Sequence, residues 1–287
     1  MRKLLITGGS GYLGSELVRQ ALTAGTWDVA ATYTSNPREI AGVRFLPLDL
    51  RDAEAAAALV RALAPDVVIH TAYVQREPDL RAITAEGAGH VARAARDTGA
   101  RLIHLSSDAL FDGERSDSYT EDDPPSPITA YGEAKATAER LVASFYPAAL
   151  IIRTSLIYGG SEPSQHEQTV FRAVEGTVDI TFFTDERRNP IQVGDLVGAL
   201  LELAPTDTQG ILNIAGADVL SRYEFATLIA AHAGLPTAAL RSGFSATSGM
   251  RRPRHVALDS SHAQALLHTR LRGAREVLSH TMKALDS

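Results

Sequence analysis

Two patterns of hydrophobic and polar positions alternate through the first half of the chain. Short runs that are apolar throughout, "KLLIT", "WDVAATY", "VRFLPLDL", "VVIHTAY", "RLIHLSSD" and "ALIIRTSLIYG", predict six strands. Between them lie segments with helical spacing: "GSELVRQALTAG", which stops at Gly25, the Ala-rich "AEAAAALVRALAPD", "AITAEGAGHVARAARDTGA" and "AYGEAKATAERL". Strands separated by helices predict parallel β-α-β units, because parallel neighbours require a crossover. Strands without polar alternation predict a sheet covered on both faces. The expected class is α/β, with a doubly wound parallel sheet.

The second half is less regular. "GTVDITFFTDERRNP" reads as a strand leading into a loop, "VGDLVGALLELA" as a helix and "GILNIAG" as a strand. "SRYEFATLIAAHAG" places Ser221 three residues ahead of Glu224, a capping-box start, and "DSSHAQALLHT" opens similarly. The Pro-rich "EDDPPSPITAYG" is a loop inside the first unit. The expected division is a dinucleotide-binding unit over 1–158, with 190–215 returning to its sheet. A smaller substrate lobe then takes 159–189 and 216–287.

With 287 residues the chain suffices for one large domain or two unequal ones. A net charge of −6 gives no basic surplus for phosphate backbones, so no nucleic-acid partner is expected. Cysteine is absent, which excludes disulfides, thiolate nucleophiles and Cys-bound metals. The apolar run at the N-terminus is too short for a secretion signal, and no stretch of about 18 apolar residues could span a bilayer. The expectation is a cytoplasmic protein without a membrane partner.

"TGGSGYLG" follows the first strand and opens the first helix, with Gly8, Gly11 and Gly14 at G-x-x-G-x-x-G spacing. In that context the glycines form a tight turn that brings backbone up to a pyrophosphate, as in a Rossmann dinucleotide site. The bland alternative is a structural turn. An acidic residue at the end of the second strand would bind the ribose hydroxyls of NAD. None occurs from Ala30 to Pro37, whereas Ser35 and Arg38 could meet a 2′-phosphate. NADP(H) is therefore expected, with NAD(H) as the alternative; Arg38 as a solvated cation is the competing reading. Asp49, ending "PLDL", could bond an adenine amine or cap the next helix.

Ser106 and Ser107 end the fifth strand, at the carboxyl edge where parallel sheets bind ligands. Tyr131 and Lys135 follow at i and i+4, on one helix face. A phenol with a pKa of about 10 is a poor acid–base near neutrality, and a nearby ammonium lowers that value. A serine hydroxyl can orient a carbonyl oxygen while the phenol protonates it and a nicotinamide delivers hydride. Y-x-x-x-K is common by chance; its place after the loop and the serines gives it weight. His70 and His104 lie in predicted strands and read as satisfied core residues. No pair of histidines has metal-ligand spacing.

"TGGSGYLG", "DVVIHTAY", "GARLIHLSSDALFDGE", "YTEDDPPSPITAYGEAK", "IIRTSLIYG", "NPIQVGDLVGAL", "GILNIAG", "SRYEFATLI" and "RRPRHVALD" carry a resemblance over nearly the whole length. The chain resembles an extended short-chain dehydrogenase/reductase, and within that superfamily the dTDP-4-dehydrorhamnose reductases and their sugar-nucleotide-binding relatives. The resemblance implies NADPH-dependent reduction of a 4-keto sugar on a nucleoside diphosphate. It implies Ser107, Tyr131 and Lys135 as the catalytic set, with Lys135 also holding the nicotinamide ribose. It extends the cofactor site to Tyr12, Leu13, Leu50, Thr71, Ala72 and Tyr73. It places Ser107, Asp108, Leu156 and Arg252 at the substrate.

There are departures. Ala109 follows Asp108 where those reductases usually carry tyrosine. Leu156 stands where they carry tryptophan, and His70-Thr71-Ala72 where they read Asn-Ala-Ala. Substrate-side aromatic surface is thus missing at two positions. The related dehydratases carry a glutamate where this chain has Ala109, which disfavours dehydration. A sugar-nucleotide epimerase with tightly held NAD and a non-catalytic subunit like that of methionine adenosyltransferase are the alternatives. A homodimer is the expected assembly if the chain is not monomeric.

Arg251, Arg252 and Arg254 suit a diphosphate, since guanidinium forks bind such groups bidentately. A solvated basic loop is the competing reading. Arg187 and Arg188, in a mixed-charge segment, read as surface residues.

Overall fold

The computed structural model describes residues 1–249 and 251–279. Met250 of the "MRRPRHVALD" stretch and residues 280–287 of the expected substrate lobe lie outside the described residues.

Seven strands form one parallel sheet: β1 (Arg2–Thr7), β2 (Trp27–Tyr33), β3 (Arg44–Pro47), β4 (Val67–His70), β5 (Arg101–Leu105), β6 (Leu150–Arg153) and a seventh, Gly210–Asn213. Their spatial order is β3-β2-β1-β4-β5-β6-seventh. The order reverses between β1 and β4, and ligands of such sheets bind at that switch point. Six strands match the expected runs, and "GILNIAG" supplies the seventh by pairing with β6.

The helices are α1 (Tyr12–Ala24), α2 (Ala53–Leu63), α3 (Gly87–Thr98), α4 (Ala130–Phe145), α5 (Gln165–Val174), α6 (Val193–Leu203) and α7 (Arg222–His232), with two short helices nearer the C-terminus. Strand side chains alternate between two cores. Leu4, Ile6, Val67, Ile69, Ile103 and Ile152 pack beneath α1 and α6. Leu5, Val68, Leu102 and Ile151 pack beneath α2, α3 and α4. A third cluster gathers Tyr158, Val170, Phe182, Phe225 and Ile229 around α5 and α7.

Capping residues fix the helix starts. Ser221 and Glu224 make the expected capping box, at 3.0 and 2.8 Å, and Ser164 with Glu167 makes another on α5. Thr129 caps α4 by accepting from Gly132 N at 3.1 Å. Asp49 does not cap α2: Asp52 does, accepting from Ala55 N at 2.9 Å. The run read as a sixth strand divides after Arg153. Asp108 N bonds Thr154 O at 2.8 Å, and Ile157–Tyr158 leaves the sheet to pair with Ile191–Gln192. The third helix is preceded by a wide π-helical turn, Leu80–Glu86.

Candidate functional site

The glycine loop sits at the switch point. Gly8 has φ +76°, and a Cβ there would stand 2.7 Å from the Ala72 backbone, so β1 and β4 end in close contact. A Cβ on Gly14 would overlap the Gly8 carbonyl oxygen. Gly11 caps α1 and brings no side chain to its first N–H groups. The result is a cradle of bare backbone at a helix N-terminus, which fits a pyrophosphate. The Leu13 side chain is core, as is that of Leu50. Only their backbones are free to meet a cofactor. Tyr12 is half-buried, its phenol accepting from Gly160 N at 2.8 Å. Thr71 Oγ1 donates to Thr7 O at 2.8 Å, beside Ala72.

Ser35 is exposed, while Arg38 is drawn onto the loop, its Nε donating to Ser10 O at 3.0 Å. It is therefore not a free surface cation: Glu162 Oε1 lies 2.6 Å from its Nη1. The Asp49 carboxylate is engaged by Arg51, with the closest contact at 2.6 Å. That pairing lowers the Asp49 pKa from its ordinary value.

At the carboxyl ends of β4 and β5, Tyr131, Ser107, Tyr73 and Lys135 converge. Ser107 starts a short turn, accepting from Ala109 N at 3.2 Å. The neighbouring Ser106 faces the interior, its Oγ buried without a protein partner, so the two strand-end serines are distinct. Burial raises the Tyr131 pKa well above its ordinary value, with Tyr73 adding to the rise, while hydrogen bonding from Ser107 and Gln75 opposes it. The rings of Tyr73 and Tyr131 are 5.9 Å apart between centroids. The Lys135 ammonium, buried, donates to Leu105 O at 2.8 Å and lies 5.1 Å from the Tyr73 ring centroid. Burial lowers its pKa to about 8, with Glu139 acting in the opposite direction. The expected lowering of the phenol's pKa does not appear: burial raises it, and Lys135 is not among the main groups acting on it.

Behind Lys135, Glu139 and Arg153 form a fully buried pair, with Arg153 Nη2 at 3.0 Å and Nε at 3.1 Å. His70 and His104 stack at 5.2 Å. They are core residues but not satisfied ones. His70 Nδ1 shares a 2.6 Å hydrogen bond with Thr7, while His70 Nε2 and both nitrogens of His104 have no protein partner. Burial, then Lys135, pushes His70 down to about 3, so the ring is neutral.

A cleft of about 570 Å³ is lined by Gln75, a hydrogen-bond partner of Tyr131, and by His166, Phe182, Phe183, Arg222 and Arg252 among others. Arg252 lies over the Phe183 ring at 5.4 Å and bonds Glu186 at 2.8 Å. Arg251 is exposed and reaches Glu114 at 3.3 Å, away from Arg252's partner. Two readings need correction. Asp108 does not face the cleft: it is buried, accepting from Ser155 Oγ at 2.7 Å with Arg188 Nε at 3.6 Å, and burial raises its pKa. Arg188 is no surface residue either: its guanidinium also donates to Pro253 O at 2.8 Å and pairs with Glu186 at 3.6 Å. Leu156 packs at the edge of the third apolar cluster. Among the described residues no cluster of three or more His, Asp or Glu side chains is arranged to hold a metal, and no helix is long and apolar enough to cross a membrane.

Gln75, Arg222, Glu186 and the Glu139–Arg153 pair were not singled out from sequence. Arg153 had a signal: a cation inside an apolar strand must find a buried carboxylate.

The chain matches the RmlD substrate binding domain family over residues 1–287. It is 31% identical over 295 residues to a dTDP-4-dehydrorhamnose reductase of Mycolicibacterium smegmatis, covering 99% of this chain and 86% of that one. It is 32% identical over 247 residues to the spore coat polysaccharide biosynthesis protein SpsK of Bacillus subtilis, covering 84% and 82%. It is 29% identical over 286 residues to the methionine adenosyltransferase 2 subunit beta of Rattus norvegicus, covering 92% and 82%. A hypothetical dTDP-4-dehydrorhamnose reductase from Sulfolobus tokodaii superposes with a TM-score of 0.80 at 33% identity, over 95% and 97% of the two chains. The Bacillus anthracis dTDP-4-dehydrorhamnose reductase, in complex with NADP, superposes at 0.84 with 24% identity, over 99% and 100%. The parallel sheet, the glycine cradle and these likenesses agree: the chain belongs to the RmlD substrate binding domain family, as a dTDP-4-dehydrorhamnose reductase-like member of the extended short-chain dehydrogenase/reductases.

Proposed function

We propose that the chain is an NADPH-dependent reductase of the 4-keto group of a nucleoside-diphosphate deoxysugar, with NADH as the weaker donor. The observation that carries this reading is the place of Gln75. It bonds the Tyr131 phenol and also lines the cleft, which supports a sugar bound in the cleft with its keto group turned toward the phenol. Residues 1–158 with 190–215 take the dinucleotide, and 159–189 with 216 onward supply most of the cleft. Arg222 and Arg252 face the substrate's diphosphate, and Phe182 and Phe183 supply apolar surface, partly offsetting the aromatics missing at Ala109 and Leu156.

The cradle of Gly8, Gly11 and Gly14 would hold the pyrophosphate of NADPH, which would supply the hydride for the carbonyl carbon. Ser107 and Tyr131 donate hydrogen bonds to the carbonyl oxygen, and Tyr131 passes its proton to that oxygen as negative charge develops there. The raised pKa keeps the phenol protonated at neutral pH but makes it the weaker acid, so its proton passes only as negative charge develops on the carbonyl oxygen. Lys135, one turn on and anchored on Leu105 O, holds the nicotinamide ribose. The NADP complex of the Bacillus anthracis relative supports the cofactor assignment.

A second reading, a non-catalytic NADP-binding subunit, is favoured by the likeness to the methionine adenosyltransferase subunit across most of the chain. Incubation with NADPH and a dTDP-4-keto-6-deoxysugar separates the readings. The reductase consumes one NADPH per sugar reduced. An epimerase consumes none overall while converting the sugar, and a regulatory subunit leaves both unchanged.

A further inference from the structure

The segment after Tyr158 is strapped across the outer side of the glycine loop. Gln192 Nε2 donates to Gly159 O at 2.9 Å, Gly160 N to the Tyr12 phenol at 2.8 Å, and Ser161 Oγ to Glu16 at 3.3 Å. The next residue, Glu162, reaches Arg38 at 2.6 Å and Arg19 at 3.8 Å. Arg38 is itself anchored on Ser10 O. Two loops 124 residues apart thus meet on one guanidinium at the rim of the cofactor cradle.

Arg38 is the only cation between the end of β2 and Gly42, and no acidic residue lies from Thr34 to Arg38. Arg38, held on the glycine loop, is the cation of this stretch placed to read a 2′-phosphate, with Ser35 near it in sequence. Glu162 already holds that guanidinium, and the Glu162 side chain remains 55% exposed, open to a ligand at the same place. A phosphate arriving there meets a carboxylate of like charge and must compete for the same N–H groups. A 2′-hydroxyl meets the reverse situation: it can donate to the carboxylate, as it does to an acidic residue at the end of the second strand in NAD sites.

We infer that Glu162 is the cofactor-discriminating residue of this chain, opposing the 2′-phosphate at Arg38 and accepting from a 2′-hydroxyl. Glu162 thereby weakens, without reversing, the preference for NADP that Arg38 gives. The inference rests on the dinucleotide reading above.

Titration calorimetry with NADP⁺ and with NAD⁺ tests it on the full chain and three variants. Glu162→Gln raises the NADP⁺ over NAD⁺ affinity ratio roughly fivefold, the size of one charge contact at a solvated surface. Arg38→Ala lowers the ratio, and in Arg38→Ala/Glu162→Gln the gain from the Glu162 change shrinks, because the contested cation is gone. A ratio unchanged or lowered in Glu162→Gln overturns the inference while leaving the cofactor reading intact. Failure of the unaltered chain to bind either dinucleotide overturns both.

Discussion

The Lys135 ammonium donates to the carbonyl of Leu105 at 2.8 Å, beneath the face of Tyr73. This bond ties α4 to the end of β5, so the helix that carries Tyr131 is fixed to the strand that leads into Ser107. The cation is held beside Tyr73 by backbone, and its charge is conditional on pH.

Burial lowers the Lys135 pKa to about 8 from 10.5. The ammonium is intact below that pH and is lost as pH rises through it. The kcat/KM of the reductase is expected to fall above about pH 8, and Lys135→Met should abolish that limb along with most of the activity. A pH profile flat to pH 10 contradicts this role. The sign for stability is opposite. Between about pH 8 and 10.5 the unfolded chain keeps a proton that the folded chain has released, so the Lys135 contribution to stability rises with pH there.

Arg153→Met leaves Glu139 buried without its partner and is expected to destabilise the fold by about 3–5 kcal/mol. The double change Glu139→Met/Arg153→Met should cost much less, since no uncompensated charge remains. Urea denaturation of the two variants gives the comparison. Equal losses would show that packing, not the ion pair, carries the effect.

Gly14→Ala places a methyl group against the Gly8 carbonyl and 2.8 Å from Gly9 Cα. The cradle must open, and dinucleotide affinity is expected to fall about tenfold or more, about 1.4 kcal/mol. Calorimetry checks it; unchanged affinity would mean that the loop is a structural turn only.

Arg252→Gln removes a guanidinium that faces the cleft while Arg188 still pairs with Glu186. The expected result is a KM for the sugar nucleotide raised about tenfold or more, with little change in kcat or NADPH affinity, the signature of lost uniform binding. Steady-state kinetics decide it, and an unchanged KM removes Arg252 from the substrate site.

Much of this was legible in sequence because local patterns determine it. All seven sheet strands were visible as apolar runs, the seventh as "GILNIAG", and the Ser221–Glu224 spacing alone fixes the start of α7. The glycine loop could be read because its backbone, not its side chains, makes the cradle. What was not legible depends on contacts distant in sequence. Asp108 looked like a substrate residue until Arg188, eighty positions on, was seen to claim it in the interior. Arg188 looked like surface because a mixed-charge string gives no hint that Pro253 and Glu186 enclose it. The division of the sixth run after Arg153 arises from Asp108 bonding to Thr154, which no periodicity encodes. The likeness to known reductases pointed to Ser107 over Ser106; the interior orientation of the Ser106 hydroxyl supplies the physical reason.

The central claim is that the Tyr131 hydroxyl protonates the substrate oxygen, and Tyr131→Phe tests it by removing one oxygen atom. With NADPH and a dTDP-4-keto-6-deoxysugar, the variant is expected to lose at least about 100-fold in kcat while binding NADPH as tightly as the unaltered chain. Turnover within a few fold of the unaltered chain's, at equal NADPH affinity, would contradict the assignment.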